Sequence, residues 1–364
     1  MRDLISIIVP CFNEEEALPI FYEELAKEID KLPCDTEVIF VDDGSKDRTP
    51  LIIKQLCAGH ESDNCADGGY LPKTSTIPCG NSSDGKTQLE EERPQRSVRF
   101  VILSRNFGKE GAMLAGLKEA RGDYAVVMDA DLQHPPRLIA GLYDALKNPP
   151  EGANPESAAC YRTRKGGKPV GSLLSRFIRK RFARLSGIDI PVGATDFRMV
   201  SRRMLDVYLS LSESNRFSKG LFNWIGFETK WIPYENEKRC AGRSSWSRSG
   251  LYGYGLEAIL SFSDKPLKYG AALGAISCTL ALILAIWVVI KTIIWGDPVA
   301  GFPSLFCMIL FMGGSILLFL GLIGRYISKI YMETKHRPLF VTKETGGSGP
   351  VSKTGNDKIS DGDK

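Results

Sequence analysis

Short apolar runs alternate with helical segments over the first 145 residues, and this alternation constrains the fold more than any other feature. The apolar runs, typical of buried strands, cover residues 4–9, 37–41, 98–103 and 124–128. The helical segments between them cover residues 14–32, 48–56 and 111–120. Strands that alternate with helices form βαβ units, which place the strands side by side. The sequence therefore predicts an α/β domain with a mainly parallel sheet flanked by helices.

Two of the predicted strands end in paired carboxylates. Asp42 and Asp43 follow the second strand, and Asp129 and Asp131 follow the fourth. The carboxyl ends of parallel strands form the edge where α/β proteins bind ligands. Two acids two residues apart offer hard oxygen ligands to a divalent cation that also holds a diphosphate. The pattern favours a nucleotide-diphosphate site, with helix or turn capping as the alternative for both pairs.

Two long uncharged runs near the C-terminus indicate a membrane protein. They cover 20 residues at 271–290 and 26 residues at 299–324, and about 20 apolar residues cross a bilayer. We therefore predict a C-terminal two-helix transmembrane hairpin, with helices at about 269–293 and 301–325. Lysines and arginines lie outside both ends of this hairpin, which places both ends in the cytoplasm.

Cysteine usage agrees with that orientation. The nine cysteines are scattered without framework spacing, which fits a reducing compartment better than a disulfide scaffold. We expect a multi-pass protein of the inner (plasma) membrane whose catalytic domain is cytoplasmic. The net charge of +4 is mild, and no nucleic-acid partner is expected.

The chain divides into four parts by composition. These are a catalytic domain at 1–240, a segment with a juxtamembrane helix at 241–268, two transmembrane helices within 269–327, and a cytoplasmic tail at 328–364. The Gly/Ser/Lys/Asp composition of the tail predicts disorder from about residue 344. Within the catalytic domain, residues 172–186 form a basic amphipathic segment. Such a helix rests on an anionic bilayer surface; the alternative is a surface helix packed on the domain.

Residues 57–97 interrupt the βαβ pattern and are expected to form a flexible insertion. Gly80–Thr87 matches a phosphate-binding P-loop pattern, but no buried strand precedes it and no helix is expected after it. Cys57, His60, Cys65 and Cys79 offer zinc-ligand chemistry without standard spacing. A flexible loop with incidental cysteines is the favoured interpretation.

Six short motifs occur in an order that resembles a known family. They are Val9–Glu14, Val41–Ser45, Leu103–Gly108, Asp129–Pro136, Asp196–Arg198 and Arg239–Trp246. Together they resemble the family 2 glycosyltransferases of the polyprenyl-phosphate type, which include dolichol-phosphate mannosyltransferase and the bactoprenol glucosyltransferases. The resemblance covers about residues 4–340 apart from the insertion. It implies a GT-A-type fold and an inverting, Mg²⁺- or Mn²⁺-dependent transfer of a hexose to polyprenyl (undecaprenyl) phosphate. The donor is a UDP- or GDP-sugar, with UDP-glucose favoured.

The resemblance also implies roles for individual residues. The residues that it implies for binding the donor nucleotide are Pro10, Phe12, Glu14, Val41, Asp43, Asp129 and Ala130. The metal ligands that it implies are Asp131 and Gln133. Asp196 is the candidate base or positioning carboxylate, and Arg162 and Arg164 lie near the phosphates. The acceptor phosphate falls to Arg239, Ser244 and Ser245, although relatives commonly carry lysine where Ser245 stands.

Several alternatives remain open. Asp196 can instead form a salt bridge to Arg198. A processive polysaccharide synthase and a non-catalytic, membrane-anchored partner protein are the competing functions. A homo-oligomer assembled through the membrane spans and the interfacial helices is plausible.

Overall fold

The computed structural model describes residues 2–62, 94–163, 193–213, 216–235 and 302–347, together with isolated further positions. The strands are β1 (Leu4–Cys11), β2 (Asp35–Asp42), β3 (Arg96–Leu103), β4 (Tyr124–Val127), β5 (Ser157–Thr163), β6 (Ala194–Ser201), β7 (Thr229–Glu235) and β8 (Thr342–Gly347). The helices are α1 (Ala17–Ile29), α2 (Thr49–Ser62), α3 (Lys109–Glu119), α4 (Leu138–Lys147), α5 (Arg202–Ser210), α6 (Ser218–Trp224) and α7 (Phe302–Thr334).

All eight strands form one sheet in the order β7-β5-β6-β4-β1-β2-β3-β8. The central strands β4, β1, β2 and β3 are mutually parallel. Antiparallel pairing appears where β6 lies between β4 and β5, and where β8 joins β3 at the edge. The predicted GT-A-type α/β architecture, with a mostly parallel sheet flanked by helices, is confirmed.

Helices cover both faces of this sheet, which explains why the central strands read as continuous apolar runs. Successive side chains of a strand point to opposite faces. Ile7 therefore packs in one buried cluster, with Phe21 of α1 and Leu142 of α4. Ile8 packs in the other, with Leu114 of α3 and Tyr208 of α5. Burial on both sides leaves the carboxyl ends of the central strands as the exposed edge where polar groups collect.

The C-terminal helix α7 corresponds to the second predicted transmembrane span. It has 33 residues, so it is about 50 Å long, and it continues to Thr334, beyond the predicted end at residue 325. Its part from Phe311 to Thr334 is the one candidate membrane span among the described residues. The first predicted span, at about 269–293, lies largely outside the described residues, and the two-helix hairpin therefore stays a prediction.

Strand β8 corrects the predicted start of the disordered tail. Residues 344–347 belong to this strand, which pairs with β3. A Cβ atom on Gly347 would lie 2.3 Å from the carbonyl oxygen of Val98, and this glycine has a φ of +124°. Composition indicated a flexible tail because glycine lowers strand propensity. Here, however, glycine is what allows the backbone of β8 to approach β3 closely.

The insertion is also shorter than predicted. Helix α2 continues to Ser62, and Cys57 is buried in the core on that helix. The helix therefore removes Cys57 from any loop-borne zinc site. Cys65, Cys79 and the P-loop-like pattern lie outside the described residues, as do the basic segment 172–186 and almost all of residues 241–268.

Candidate active site

The residues predicted to bind a donor nucleotide meet at the carboxyl edge of β1, β2 and β4. Pro10 pairs in register with Val41, and Asp129 follows directly after Met128, whose backbone N–H donates to the carbonyl of Ile8 (3.1 Å). The side chains of Val41 and Ala130 are buried. Only the backbone of these two residues is therefore available to a ligand.

The loops after β1 and β2 are tied to each other by hydrogen bonds. The backbone N–H of Asn13 donates to Ser45 Oγ (2.9 Å), and Asn13 Oδ1 accepts from the N–H of Lys46 (3.0 Å). The N–H of Glu14 donates to Thr49 Oγ1 (2.8 Å). These bonds fix the turn that carries Phe12, whose side chain remains 43% exposed. The loop thus presents an aromatic face at the edge of the sheet.

Asp43 organises the loop between β3 and α3. Its buried carboxylate accepts backbone hydrogen bonds from Phe107 (2.7 Å) and Gly108 (2.9 Å). Burial raises its pKa, although these two bonds oppose the shift. The neighbouring Gly44 has a φ of +69°, and a Cβ there would lie 2.4 Å from the carbonyl carbon of Arg105. Asp43 therefore binds the backbone that leads into α3. It does this rather than cap α2, which is the helix that follows it in sequence.

A cavity of about 500 Å³ opens beside these loops. It is lined by Phe12, Asp42, Gly44, Ser45, Lys46, Pro50, Lys54, Ile102, Leu103, Ser104, Arg105, Asn106, Lys343 and Glu344. Its polar lining contains more cations than carboxylates. Two of the lining residues belong to β8, at the far end of the chain.

A lysine holds two carboxylates together at the centre of the edge. Lys109 Nζ, at the start of α3, lies 2.6 Å from Asp129 Oδ1 and 2.9 Å from Asp196 Oδ2. Lys219 lies 3.7 Å from the other oxygen of Asp196. Burial alone would raise the pKa of both carboxyls, but Lys109 outweighs it and holds both below their usual range. Both aspartates are therefore ionised at neutral pH.

His134 holds the backbone of Asp129 in place. Its Nδ1 accepts a hydrogen bond from the backbone N–H of Asp129 (3.0 Å), and its ring stacks on Phe197 with centroids 5.2 Å apart. Burial lowers the pKa of His134, so the ring is neutral. Because Nδ1 accepts, the proton lies on Nε2. The histidine orients the backbone from which the Asp129 carboxylate projects.

The turn at Asp131 brings two further predicted residues together. Leu132 has a φ of +58°, and the N–H of Gln133 donates to Asp131 Oδ1 (3.0 Å). Arg162 then donates to Gln133 Oε1 (3.2 Å) and to the hydroxyl of Tyr234 (3.0 Å). A non-glycine residue in the left-handed region costs free energy and is often found at ligand sites.

The donor atoms of this turn suit a hard divalent cation. Carboxylate and amide oxygens are the ligands that Mg²⁺ and Mn²⁺ accept, and Mg²⁺ commonly takes only one or two carboxylates together with substrate phosphates. Across the described ranges, no three His, Cys, Asp or Glu side chains converge on one point as a complete metal site. Asp131 and Gln133 offer oxygen ligands of this kind, and a diphosphate would supply others.

Arg198 is stacked rather than paired with Asp196. Within the described part of the chain, the ion pairs of Asp196 are to the two lysines. The Arg198 guanidinium lies 4.6 Å from the ring centroid of Phe222, which stacks on Tyr208, and Arg216 covers the other side of Tyr208. Burial lowers the pKa of Arg198 to about 10. This four-layer stack packs α5 and α6 beneath the site.

The structure adds residues that sequence reasoning missed, and it leaves others untested. Lys109, His134 and Lys219 were not singled out. Lys109 and His134 directly follow or lie within quoted motifs, which could have drawn attention to them, but Lys219 carries no local signal. Arg164, Arg239, Ser244 and Ser245 lie outside the described residues.

Comparison with known proteins gives consistent matches. Residues 6–66 and 80–209 match the profile of "Glycosyl transferase family 2". CsbB of Bacillus subtilis (strain 168), which is named as a glycosyltransferase, is 39% identical over 343 residues, covering 94% of this chain and 92% of CsbB. The bactoprenol glucosyl transferase of Shigella phage SfV is 33% identical over 343 residues, covering 93% of this chain and 98% of that protein.

Solved structures are more distant. Glucosyl-3-phosphoglycerate synthase from Mycobacterium tuberculosis, solved with Mn²⁺, UDP-glucose and phosphoglyceric acid, has a TM-score of 0.41 and 17% identity. The alignment covers 71% of this chain and 78% of that one.

Proposed function

Because the chain belongs to glycosyl transferase family 2 and is a glycosyltransferase, we propose that it transfers a hexose from a nucleotide-diphosphate sugar to a polyprenyl phosphate. The favoured donor is UDP-glucose, and transfer takes place at the cytoplasmic membrane face with inversion. The observation that carries this proposal is the arrangement of charged side chains at the carboxyl edge of the sheet. There Lys109 bridges Asp129 and Asp196, beside the Asp131–Gln133 turn.

We assign the donor side of the reaction to the acidic turn. Asp129 faces the nucleotide, and Asp131 and Gln133 hold Mg²⁺ or Mn²⁺, which when bound stabilises the leaving nucleoside diphosphate. Arg162 reaches Gln133, and its planar guanidinium suits phosphate oxygens. Lys109 offsets the charges of Asp129 and Asp196 at the same edge. The residues of this edge thus offset the negative charge that develops as the glycosidic bond breaks.

The ionisation state of Asp196 fits an acceptor substrate that is itself a phosphate. A phosphate monoester is already anionic near pH 7, because its second pKa is about 6. Such an acceptor needs little help from a general base. Asp196 has a lowered pKa because Lys109 and Lys219 neighbour it, and a carboxylate of low pKa is a poor proton acceptor. We therefore assign Asp196 to positioning the acceptor relative to the anomeric carbon.

Two observations support a lipid acceptor. A relative that matches nearly the whole chain is a bactoprenol glucosyl transferase, and α7 contains an apolar stretch long enough to cross a bilayer. We propose that Arg239, Ser244 and Ser245 bind the lipid phosphate, with Arg164 near it. A single displacement from an α-linked donor then gives a β-linked lipid product.

The test measures sugar transfer to lipid. Detergent-purified full-length protein is mixed with undecaprenyl phosphate, Mg²⁺ or Mn²⁺, and radiolabelled UDP-glucose, UDP-galactose or GDP-mannose in separate reactions. We expect label in the lipid phase with UDP-glucose, loss of that label with EDTA, and a β-anomeric signal by proton NMR.

Each contrary result has a distinct meaning. Labelled lipid with another donor would overturn the choice of sugar, and an α-linked product would overturn inversion. Nucleotide release without labelled lipid would refute the acceptor, and a long polymer would indicate a processive synthase. Equal activity of Asp131→Ala and wild type would refute the metal assignment.

A further inference from the structure

The segment after helix α7 returns to the catalytic domain and closes one side of the cavity. Ser104 N–H donates to the carbonyl of Val341 (2.9 Å), and β8 continues as the edge strand beside β3. Leu339 and Phe340 pack against the apolar cluster that contains α3. The segment is therefore anchored on both sides of the point where it reaches the cavity.

Strand β8 contains a bulge where it borders the cavity. Glu344 lies opposite Ile102, and Thr342 lies opposite Leu103. Lys343 is therefore an extra residue with no opposite partner in β3. An extra residue of this kind bends the strand and changes the direction of its side chains. Both Lys343 and Glu344 line the cavity, so the bulge lies at the cavity wall.

The lining of the cavity suits a flat heterocycle that carries carbonyl groups. Phe12 offers a partly exposed ring at one side, and aromatic faces stack on nucleobases. Lys46, Arg105 and Lys343 offer hydrogen-bond donors. Glu344 pairs with Lys54 at 2.7 Å, which holds that lysine at the wall. The volume of about 500 Å³ falls within the range of small-molecule sites.

We propose that the nucleoside part of the donor occupies this cavity and that Lys343, from the segment beyond α7, is a specificity residue for it. The inference rests on the proposed function, because it assumes a nucleotide donor. It adds a recognition element from the C-terminal end of the chain to a site otherwise built from the first half of the domain.

The first test is nucleotide affinity. Binding of UDP and of GDP, each with Mn²⁺, is measured by calorimetry on full-length protein in detergent. Lys343→Ala should weaken binding of the donor nucleotide about tenfold, because a charged hydrogen-bond donor is lost. The matched control is Thr345→Ala, an exposed residue of the same strand outside the cavity lining, and it should bind like wild type.

Kinetics separate recognition from a folding defect. Lys343→Ala should raise the donor KM by a similar factor, with kcat, the acceptor KM and the thermal midpoint unchanged. A variant with a lower midpoint and a lower kcat would instead indicate a structural role and would overturn the proposal.

The second test uses the wild-type chain. An amine-reactive reagent labels lysines in the absence and presence of UDP and Mn²⁺, and mass spectrometry quantifies each site. Lys343 should be protected by nucleotide, whereas Lys27, on the distant surface of α1, should not. If wild type binds UDP while Lys343→Ala binds it equally and Lys343 stays unprotected, the inference is refuted and the proposed function stands. If neither UDP nor GDP binds wild type, the nucleotide donor itself is refuted, and both fail.

Discussion

Replacing Lys109 with methionine tests the charge cluster at the centre of the site. The substitution keeps most of the side-chain length but removes the ammonium that lies between Asp129 and Asp196. Lys219 remains near Asp196 only, at 3.7 Å. Two ionised carboxylates then face each other without their shared counter-charge, and both protein stability and donor binding should suffer.

The magnitude follows from how exposed the three groups are. Removing one partner of a fully buried ion pair costs about 3–5 kcal/mol. Here the Lys109 side chain is 41% exposed, and those of Asp129 and Asp196 are 26% and 16% exposed. Because water screens the ammonium, we expect a smaller loss of about 1.5–3 kcal/mol. For a domain of this size that corresponds to a thermal midpoint lower by roughly 3–12 °C.

The matched control is Lys27→Met. Lys27 forms surface pairs with Glu23 and Glu24 at 2.9 and 3.0 Å, and all three side chains are at least half exposed. Exposed pairs contribute little to stability, because water and salt screen them. Thermal unfolding of both variants in detergent, followed by circular dichroism at pH 7, should give a clearly lower midpoint for the Lys109 variant alone.

The pH dependence adds an independent check. Lys109 lowers the pKa of Asp129 and of Asp196 in the folded protein. The stability that this provides is present above the unfolded aspartate pKa of about 3.9 and is lost as the pH falls towards the folded values. The gap between wild type and Lys109→Met should therefore be full at pH 6–8 and shrink below about pH 4. Equal midpoints for the two lysine variants at pH 7, or a gap that persists unchanged at pH 3, would refute this reasoning.

Three further perturbations test other parts of the site. Asp131→Asn keeps the shape of the turn but removes a charge, and should lower kcat/KM at least a hundredfold at fixed Mn²⁺; activity equal to wild type would contradict the metal role. Gly44→Ala places a Cβ 2.4 Å from the Arg105 backbone and should lower the thermal midpoint and weaken UDP binding. Its control, Gly141→Ala in α4, meets nothing within 4 Å and should stabilise the protein by about 0.5–1 kcal/mol. Phe222→Ala empties the middle of the arginine–aromatic stack and should cost about 3–5 kcal/mol in the free energy of unfolding; denaturant titration showing under 1 kcal/mol would exclude a supporting role.

Hydrophobic pattern was sufficient to predict the central sheet. The apolar runs at 4–9, 37–41, 98–103 and 124–128 all lie within or across observed strands. These strands are buried on both faces, and short runs rich in valine and isoleucine mark them as strands. Strand β8 could not be found in this way, because its six residues are exposed and two are glycine. Its pairing depends on contacts with Phe100 and Val98, which lie far away in the chain.

The site was predictable where chemistry follows from local spacing. Asp129, Asp131 and Gln133 stand together in sequence and share one turn in the structure. Lys109 and Asp196 are 87 residues apart, and they meet only because α3 and β6 begin at the same edge of the sheet. No periodicity within either segment carries that information. The roles of Asp43 and of Arg198 likewise depend on which neighbours approach them.

The short link between α7 and the docked C-terminal segment limits how far the catalytic domain can move from that helix. Thr334 ends α7, and Leu339 is already packed against the domain core. Only Lys335–Pro338 bridge the two, and four extended residues span at most about 14 Å. With α7 inserted in a bilayer, as we propose, the catalytic edge samples a thin layer above the lipid surface rather than the bulk cytoplasm. Confinement of this kind raises the effective concentration of a lipid substrate into the millimolar range without any additional contact to it. The lipid acceptor then reaches the site by diffusion within the plane of the membrane, whereas the soluble donor reaches it by diffusion in three dimensions.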